Sequence, residues 1–182
     1  MLGPSPPRVQ AMGKRSAGIL MYQRMPDGLR VLLVHPGGPF WAKKDLGAWS
    51  IPKGEYEEPD DPLTVAIREF VEETGLTPQG SFQPLGSVKQ AGGKTVTTFA
   101  VEGAFDPATL VSNSFEMEWP PRSGKRRSFP EVDRAAWFTL DEARRKILPG
   151  QAPLLDQLVM IDVYRAAAEP ASDNRDASVA AE

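Results

Sequence analysis

The stretch from Asp61 to Gly75 admits essentially one local conformation, and it constrains what the rest of the chain can do. Asp61 is a good N-cap, Pro62 fits a first turn where no backbone N–H is needed, and Gly75 suits the left-handed residue that ends a helix. A helix over 62–74 follows. At about 100° per residue, Leu63, Ile67, Phe70 and Thr74 gather in one sector, with Ala66 and Val71 at its edges, and Glu69, Glu72 and Glu73 gather on the opposite side. Three carboxylates on one patch repel by about a few tenths of a kcal/mol per pair, and Arg68, four residues before Glu72, relieves only part of this. A hard divalent cation would relieve more, and oxygen-only donor sets suit Mg2+, Mn2+ or Ca2+. A solvated acidic helix face is the ordinary alternative, and the three glutamates alone do not separate the two.

Composition removes most other chemistries. The chain has 182 residues, 41% of them hydrophobic, with no cysteine and one histidine. That is room for one globular domain plus extra chain. Disulfides, thiolate zinc sites, iron–sulfur clusters and cysteine nucleophiles are excluded, and so is any site needing two imidazoles. A Ser-His-Asp arrangement survives only if His35 belongs to it. No apolar run has the length of a membrane span. The net charge of −3 is uneven: residues 54–76 hold eight carboxylates against Arg68, in an otherwise basic body. An acidic cluster of this kind is a poor nucleic-acid surface and a good cation site.

Along the chain, residues 1–15 read as a flexible arm without the apolar core of a signal peptide, which points to a cytoplasmic protein. Residues 166–182 are polar and patternless and read as a disordered tail. Between them lies one domain over 16–165. Ala17–Gln23 and Leu29–His35 flank Pro26-Asp27-Gly28 as a hairpin, and Phe82–Gln90 and Thr95–Glu102 flank a second turn. Trp49–Ile51 is a short strand, residues 52–61 a polar loop, and Arg134–Phe138 a last strand. Helices are expected over Asp141–Leu148 and Leu154–Ala168. Irregularly interspersed strands and helices favour an α+β fold, a mixed β-sheet between helices.

Read from Gly54, the sequence GEYEEPDDPLTVAIREFVEETGL resembles the Nudix box. Gly54, Arg68, Glu69, Phe70, Glu72, Glu73, Gly75 and Leu76 match it in register; Asp60 stands where the family has Glu. Trp49–Gly54 and Glu131–Phe138 extend the resemblance over about Ser16 to Leu158. It implies a Nudix-like α/β/α sandwich and a Mg2+-dependent hydrolase of phosphoanhydride bonds, with Mn2+ as a possible substitute. The substrate would be a nucleoside diphosphate-linked or polyphosphate small molecule. Glu69, Glu72, Glu73 and the Lys53 carbonyl would hold the metal. Glu69 is the first choice for the base that deprotonates the attacking water; among the loop carboxylates Glu116, Glu118 and Glu131, Glu118 is favoured. Gly54, Asp60, Arg68 and Gly75 would be structural, Asp60 bracing the loop through Arg68. A nucleotide sensor that does not cleave is the alternative, and the intact glutamate trio favours the enzyme.

Cations supply the phosphate side. Lys53 lies inside the loop, Lys43 and Lys44 precede it, and Arg122, Lys125, Arg126 and Arg127 crowd a loop before the last strand. Lys53, Lys43, Arg122 and Arg126 are the expected substrate contacts. A nucleic-acid surface is not expected, because no RNA-binding motif accompanies these cations. Trp41 and Trp49 are candidates to stack on a base; His35 reads as a capped or half-buried histidine. Lys89 to Gly92 lack the proline that ADP-ribose hydrolases of the family carry beyond the box. Pro52-Lys53-Gly54 is similar to members acting on dinucleoside polyphosphates or inositol pyrophosphates, although the downstream tyrosine of the former is not seen. Because Asp60 is one methylene shorter than Glu, Asp60→Glu should leave activity unchanged and keep or slightly raise the melting temperature; a large loss of activity would contradict a merely bracing role.

Overall fold

A computed structural model describes residues 13–168. The expectations for residues 1–12 and 169–182 lie outside the described residues. The element order is β1 (Arg15–Met25), β2 (Gly28–Pro36), β3 (Lys53–Tyr56), α1 (Pro62–Thr74), β4 (Gln83–Lys89), β5 (Thr95–Glu102), β6 (Ser114–Glu118), β7 (Arg126–Pro130), β8 (Val132–Thr139), α2 (Leu140–Lys146) and α3 (Pro153–Ala168). Both hairpins and all three helices stand close to where the sequence puts them.

Six strands form one mixed sheet in the order β4-β5-β1-β2-β8, with β3 also on β1. The β1–β5 pair is parallel and the other pairs are antiparallel. β1 is buried without a break from Ser16 to Tyr22, because helices cover both faces of the sheet. Its side chains alternate between two cores. Ala17, Ile19 and Met21 meet Val65, Ala66 and Phe70 of α1. Leu20 and Tyr22 join Ala143 and Ile147 with Leu154, Leu155 and Leu158 of α3. The result is an α/β/α sandwich, as expected.

One feature of the sheet positions everything else. β1 and β2 pair only near their turn, from Tyr22↔Val31 to Met25↔Gly28. Beyond it they splay, and residues 50–56 run into the gap. Ser50 exchanges backbone hydrogen bonds with Val34 (2.9 Å each way), Ile19 N–H donates to Pro52 C=O at 3.1 Å, and Arg15 to Gly18 pair with Tyr56 to Lys53. The stretch 53–56, expected as loop, is therefore a strand. Lys-Gly-Glu-Tyr has little intrinsic β preference, and the unpaired edge of β1 supplies the reason to extend. Trp49, expected in a strand, makes only an isolated bridge to Ile147 and is a core residue at 4% exposure. The ring of Trp49 is met edge-on by His35 and Phe138.

The second difference is a separate two-stranded sheet, β6–β7, where the sequence suggested loops. Its polar strands give no apolar alternation strong enough to mark it. His35 is fully buried, not half-buried. Its Nε2 bonds the Lys44 carbonyl at 2.7 Å and its Nδ1 faces Asp133 Oδ1 at 2.8 Å, tying loop 37–48 to β8. The loop is tied at its far end by Asp45, which accepts from Trp49 Nε1 at 2.9 Å and pairs with Lys146.

Gly18 is where β1 passes the inserted strand. A Cβ there would lie 2.6 Å from the Pro52 carbonyl oxygen and 2.7 Å from Lys53 Cβ. Gly18→Ala should therefore push β3 off β1, costing about 2 kcal/mol or more, and should weaken any metal or phosphate affinity of the adjacent helix. Thermal melting with and without Mg2+ checks it.

Candidate active site

α1 is built as its sequence demands. Asp61 caps it, its carboxylate accepting from Thr64 N at 2.9 Å, and Gly75 ends it at φ 81° with its N–H donating to Val71 C=O. The rotation of the helix is the surprise. Its buried residues are Val65, Ala66, Phe70 and Thr74. Leu63 and Ile67 are only half-buried, so the inner face is turned toward Val65. At about 100° per residue, Glu69 and Glu73 then project between Val65 and Ala66, within the inner face, and Glu72 stands at its border. The expectation that the carboxylates lie opposite the buried face is corrected accordingly. The inserted β3 explains it, since α1 packs on β3 as well as β1 and its acidic residues face that strand.

Gly54 makes this contact possible. A Cβ at residue 54 would lie 1.9 Å from Glu69 Cδ, so only glycine lets the carboxylate rest against the strand. The Gly18–Lys53 pair is of the non-hydrogen-bonded kind, so the N–H and C=O of Lys53 both face away from β1. Its N–H donates to Glu73 Oε2 at 3.3 Å. The Lys53 side chain is largely buried too, and burial pushes its ammonium below the usual lysine range, against the attraction of Glu73.

The carboxylates are electrostatically crowded. Burial raises Glu73 to about 8, opposed by Lys53 and reinforced by Glu69 and Glu131. Glu131, in the bend between β7 and β8, is also raised, by burial first and then by Glu69 and Glu72. Its N–H donates to Asn113 C=O at 2.8 Å, and Asn113 N–H to Glu72 C=O at 2.8 Å, which seats it beside α1. Glu131 is thus the loop carboxylate brought to the trio. Its position immediately before the last strand was the available signal. Glu118, favoured from sequence, lies in β6 and accepts from Gly124 N at 2.8 Å, capping its own hairpin. Glu116 pairs with Arg126 at 3.3 Å.

Arg68 donates to Glu69 Oε1 at 2.8 Å and stands 3.7 Å from Glu72. The anticipated i,i+4 pair is therefore the looser of its two. Asp60 attracts Arg68 only at longer range, behind Glu69 and Glu72. Among the expected phosphate contacts, only Lys53 adjoins the carboxylates. Lys43 is exposed in loop 37–48, and Arg122 is exposed beyond the end of β6 at φ 62°. Lys44 stands over the Trp41 ring at 4.7 Å. A cleft of about 720 Å³ opens beside the box loop, lined by Lys14, Arg15, Glu55, Glu58 and Asp60. Its two cations are paired, Lys14 with Glu55 and Arg15 with Glu58, and its lining includes none of the α1 carboxylates.

The donor set fits a hard divalent ion: four carboxylates, all oxygen, two of them with proton affinity raised first by burial and then by their acidic neighbours. Among the described residues no three already converge at coordinating distance. Glu69 is turned onto Gly54 and Arg68, and Glu73 onto the Lys53 backbone, so an ion would draw them from these local partners.

A NUDIX domain model matches residues 12–158. The chain belongs to the NUDIX family. A mutT/nudix family protein from Listeria innocua is similar in structure at TM-score 0.58 and 16% identity, over 88% of this chain and 100% of that one. The binary complex of a C. elegans Ap4A hydrolase matches at TM-score 0.55 and 19% identity, over 83% and 98%. The NUDIX domain of Shewanella oneidensis NrtR complexed with ADP ribose matches at 0.53 and 16%, over 91% and 94%. At these identities the likeness is one of fold.

The raised proton affinity of Glu73 carries a sign that can be measured. The NUDIX fold here binds this proton more tightly than the unfolded chain, whose Glu titrates near the ordinary carboxylate value of 4.5. The stabilisation is complete below that value and is lost as pH rises through about 8. In chelator the melting temperature should therefore fall between pH 5 and pH 8.5, by roughly 4 °C or more. Added Mg2+ should recover most of the loss at pH 8.5 and little at pH 5. A flat, metal-independent profile would show that Glu73 is not buried against the other carboxylates.

Proposed function

We propose that this NUDIX protein is a divalent-metal-dependent hydrolase that cleaves a phosphoanhydride bond in a nucleoside diphosphate-linked or polyphosphate small molecule, with Mg2+ as the metal and Mn2+ able to substitute. The observation that carries the reading is the meeting of Glu69, Glu72, Glu73 and Glu131 around Gly54 and Lys53, on two elements distant in sequence. Such crowding of like charge is unfavourable unless a cation offsets it.

Glu69, Glu72 and Glu73 would hold the metal, with the Lys53 carbonyl on the free side of β3 as a further oxygen. When bound, the ion neutralises charge on the attacked phosphoryl group and lowers the pKa of water. Glu131 is the better-suited base. Glu69 is engaged by the Arg68 guanidinium at 2.8 Å, whereas Glu131 has its proton affinity raised above that of an ordinary carboxylate, chiefly by burial, and among the described residues it accepts no side-chain bond from a cation. Lys53 would meet a phosphate oxygen beside the metal. The general-base role is thus assigned to Glu131 in place of Glu69, the first choice from sequence, and of Glu118, the favoured loop candidate; Glu69 is kept as a ligand.

A phosphate-release screen over nucleoside diphosphate-linked compounds and dinucleoside polyphosphates, with and without Mg2+, tests the activity. Ligand-induced stabilisation without turnover on every compound would favour a sensor instead. For the residue roles, Glu131→Gln should lower kcat by about 100-fold or more, with melting temperature kept, and Glu118→Gln by less than about threefold. The reverse order would return the base to the hairpin.

A further inference from the structure

The β6–β7 hairpin sorts its side chains by chemistry. Its register opposes Phe115 to Phe129 and Met117 to Arg127, and one pair further Trp119 N–H donates to Lys125 C=O at 2.8 Å. Directly opposed residues share a face and successive residues alternate. One face therefore carries Phe115, Phe129, Met117, Arg127, Trp119 and Lys125. The reverse face carries both carboxylates, Glu116 and Glu118, and there Arg126 is matched by Glu116. Arg126, an expected phosphate contact, is so placed on the side already neutralised. The first face has two cations and no acid, and among the described residues neither Lys125 nor Arg127 forms an ion pair.

The inner part of that face is covered. The Phe115 ring reaches to 3.1 Å from where a Gly38 Cβ would be, so loop 37–48 packs on it. Farther out, Phe40 of the same loop meets Trp119 edge-on, ring centroids 5.5 Å apart at 84°, and Phe40 stays 58% exposed. What remains open is an aromatic pair flanked by Lys125 and Arg127. The strand leads back through Pro130 to Glu131 and the carboxylate trio. At about 3.3 Å per residue, Arg127 stands roughly 10 Å, and Lys125 roughly 16 Å, from Pro130.

We propose that this outer face binds the far end of a two-ended substrate, the distal nucleotide of a dinucleoside polyphosphate. Its phosphates lie on Arg127 and Lys125 and its base lies against Trp119 and Phe40, while the near end sits at the carboxylates. Exposed aromatic rings accept any base by stacking, and adjacent cations accept phosphate. The charge of the face matches that ligand, and the carboxylates that would repel it are on the reverse. The proposal rests on the hydrolase reading for cleavage but not for binding.

The test separates the two. In the full chain carrying Glu73→Gln, calorimetry with Mg2+ compares diadenosine tetraphosphate with ATP, and kcat/KM is compared in the otherwise unaltered chain. Lys125→Ala with Arg127→Ala, and separately Trp119→Leu, should weaken diadenosine tetraphosphate at least tenfold and ATP less than twofold. Ser128→Lys, a cation added to the reverse face, should tighten neither. Equal loss for both ligands, no loss in either assay, tightening by Ser128→Lys, or a preference of the same face for a single-stranded oligoribonucleotide would each overturn the proposal. Selective binding without turnover of any compound would instead overturn the hydrolase reading and leave the subsite standing.

Discussion

The insertion of residues 50–56 between the splayed ends of β1 and β2 is the contact on which the rest depends. It occupies backbone groups of β1 and Val34 that would otherwise be buried without partners, and it lays Gly54 under α1. Because residue 54 has no Cβ, the Glu69 carboxylate can rest on the strand. Because Lys53 turns its backbone away from β1, Glu73 finds an N–H donor there. The helix, the strand and the carboxylates are thus one arrangement, in which moving any part uncovers a charge or a peptide group.

That arrangement stores electrostatic work. Glu73 and Glu131 both hold their protons more tightly than free carboxylates, with burial the leading cause in each. Lys53 offsets only part of it, itself lowered by burial. A protein selected only for stability would place apolar or neutral groups there. Four acids close to one glycine of β3 are the arrangement on which the proposal of a bound cation rests.

Beside Glu131, whose carbonyl accepts from Gly37 N–H, loop 37–48 and the β6–β7 hairpin pack into one wall. His35 and Asp45 fasten the loop to β8 and α2, and Phe115 and Trp119 fasten the hairpin to the loop. A rigid scaffold with variable walls is how one fold serves many substrates. Within the wall, the separation of cations and rings from carboxylates onto opposite faces of a two-stranded ribbon gives a direction to whatever lies against it.

Local signals were enough for much of this. Asp61, Pro62 and Gly75 marked α1 to the residue, since caps act on the neighbouring backbone; turn residues marked two hairpins; and the spacing of Gly54, Arg68, Glu69, Glu72 and Glu73 marked the metal-ligand candidates and the family. What no local signal carried was the facing of those parts. A helical wheel put the acids opposite the core, but α1 packs on two strands and sets the half-buried Glu69 and Glu73 between Val65 and Ala66. Lys53–Tyr56 became a strand only because β1 offered an empty edge. Glu131 stood behind Glu118 on sequence, and joined the trio through backbone bonds by way of Asn113. The cations at 122–127 formed one group in sequence and two in space, since a ladder alternates its faces. Sequence by itself determined which chemistry is present, because residue type and near-neighbour spacing set it. Only the tertiary structure decided which acids are buried together and which cations are free, because charge coupling depends on distance and solvent exclusion between segments far apart in the chain.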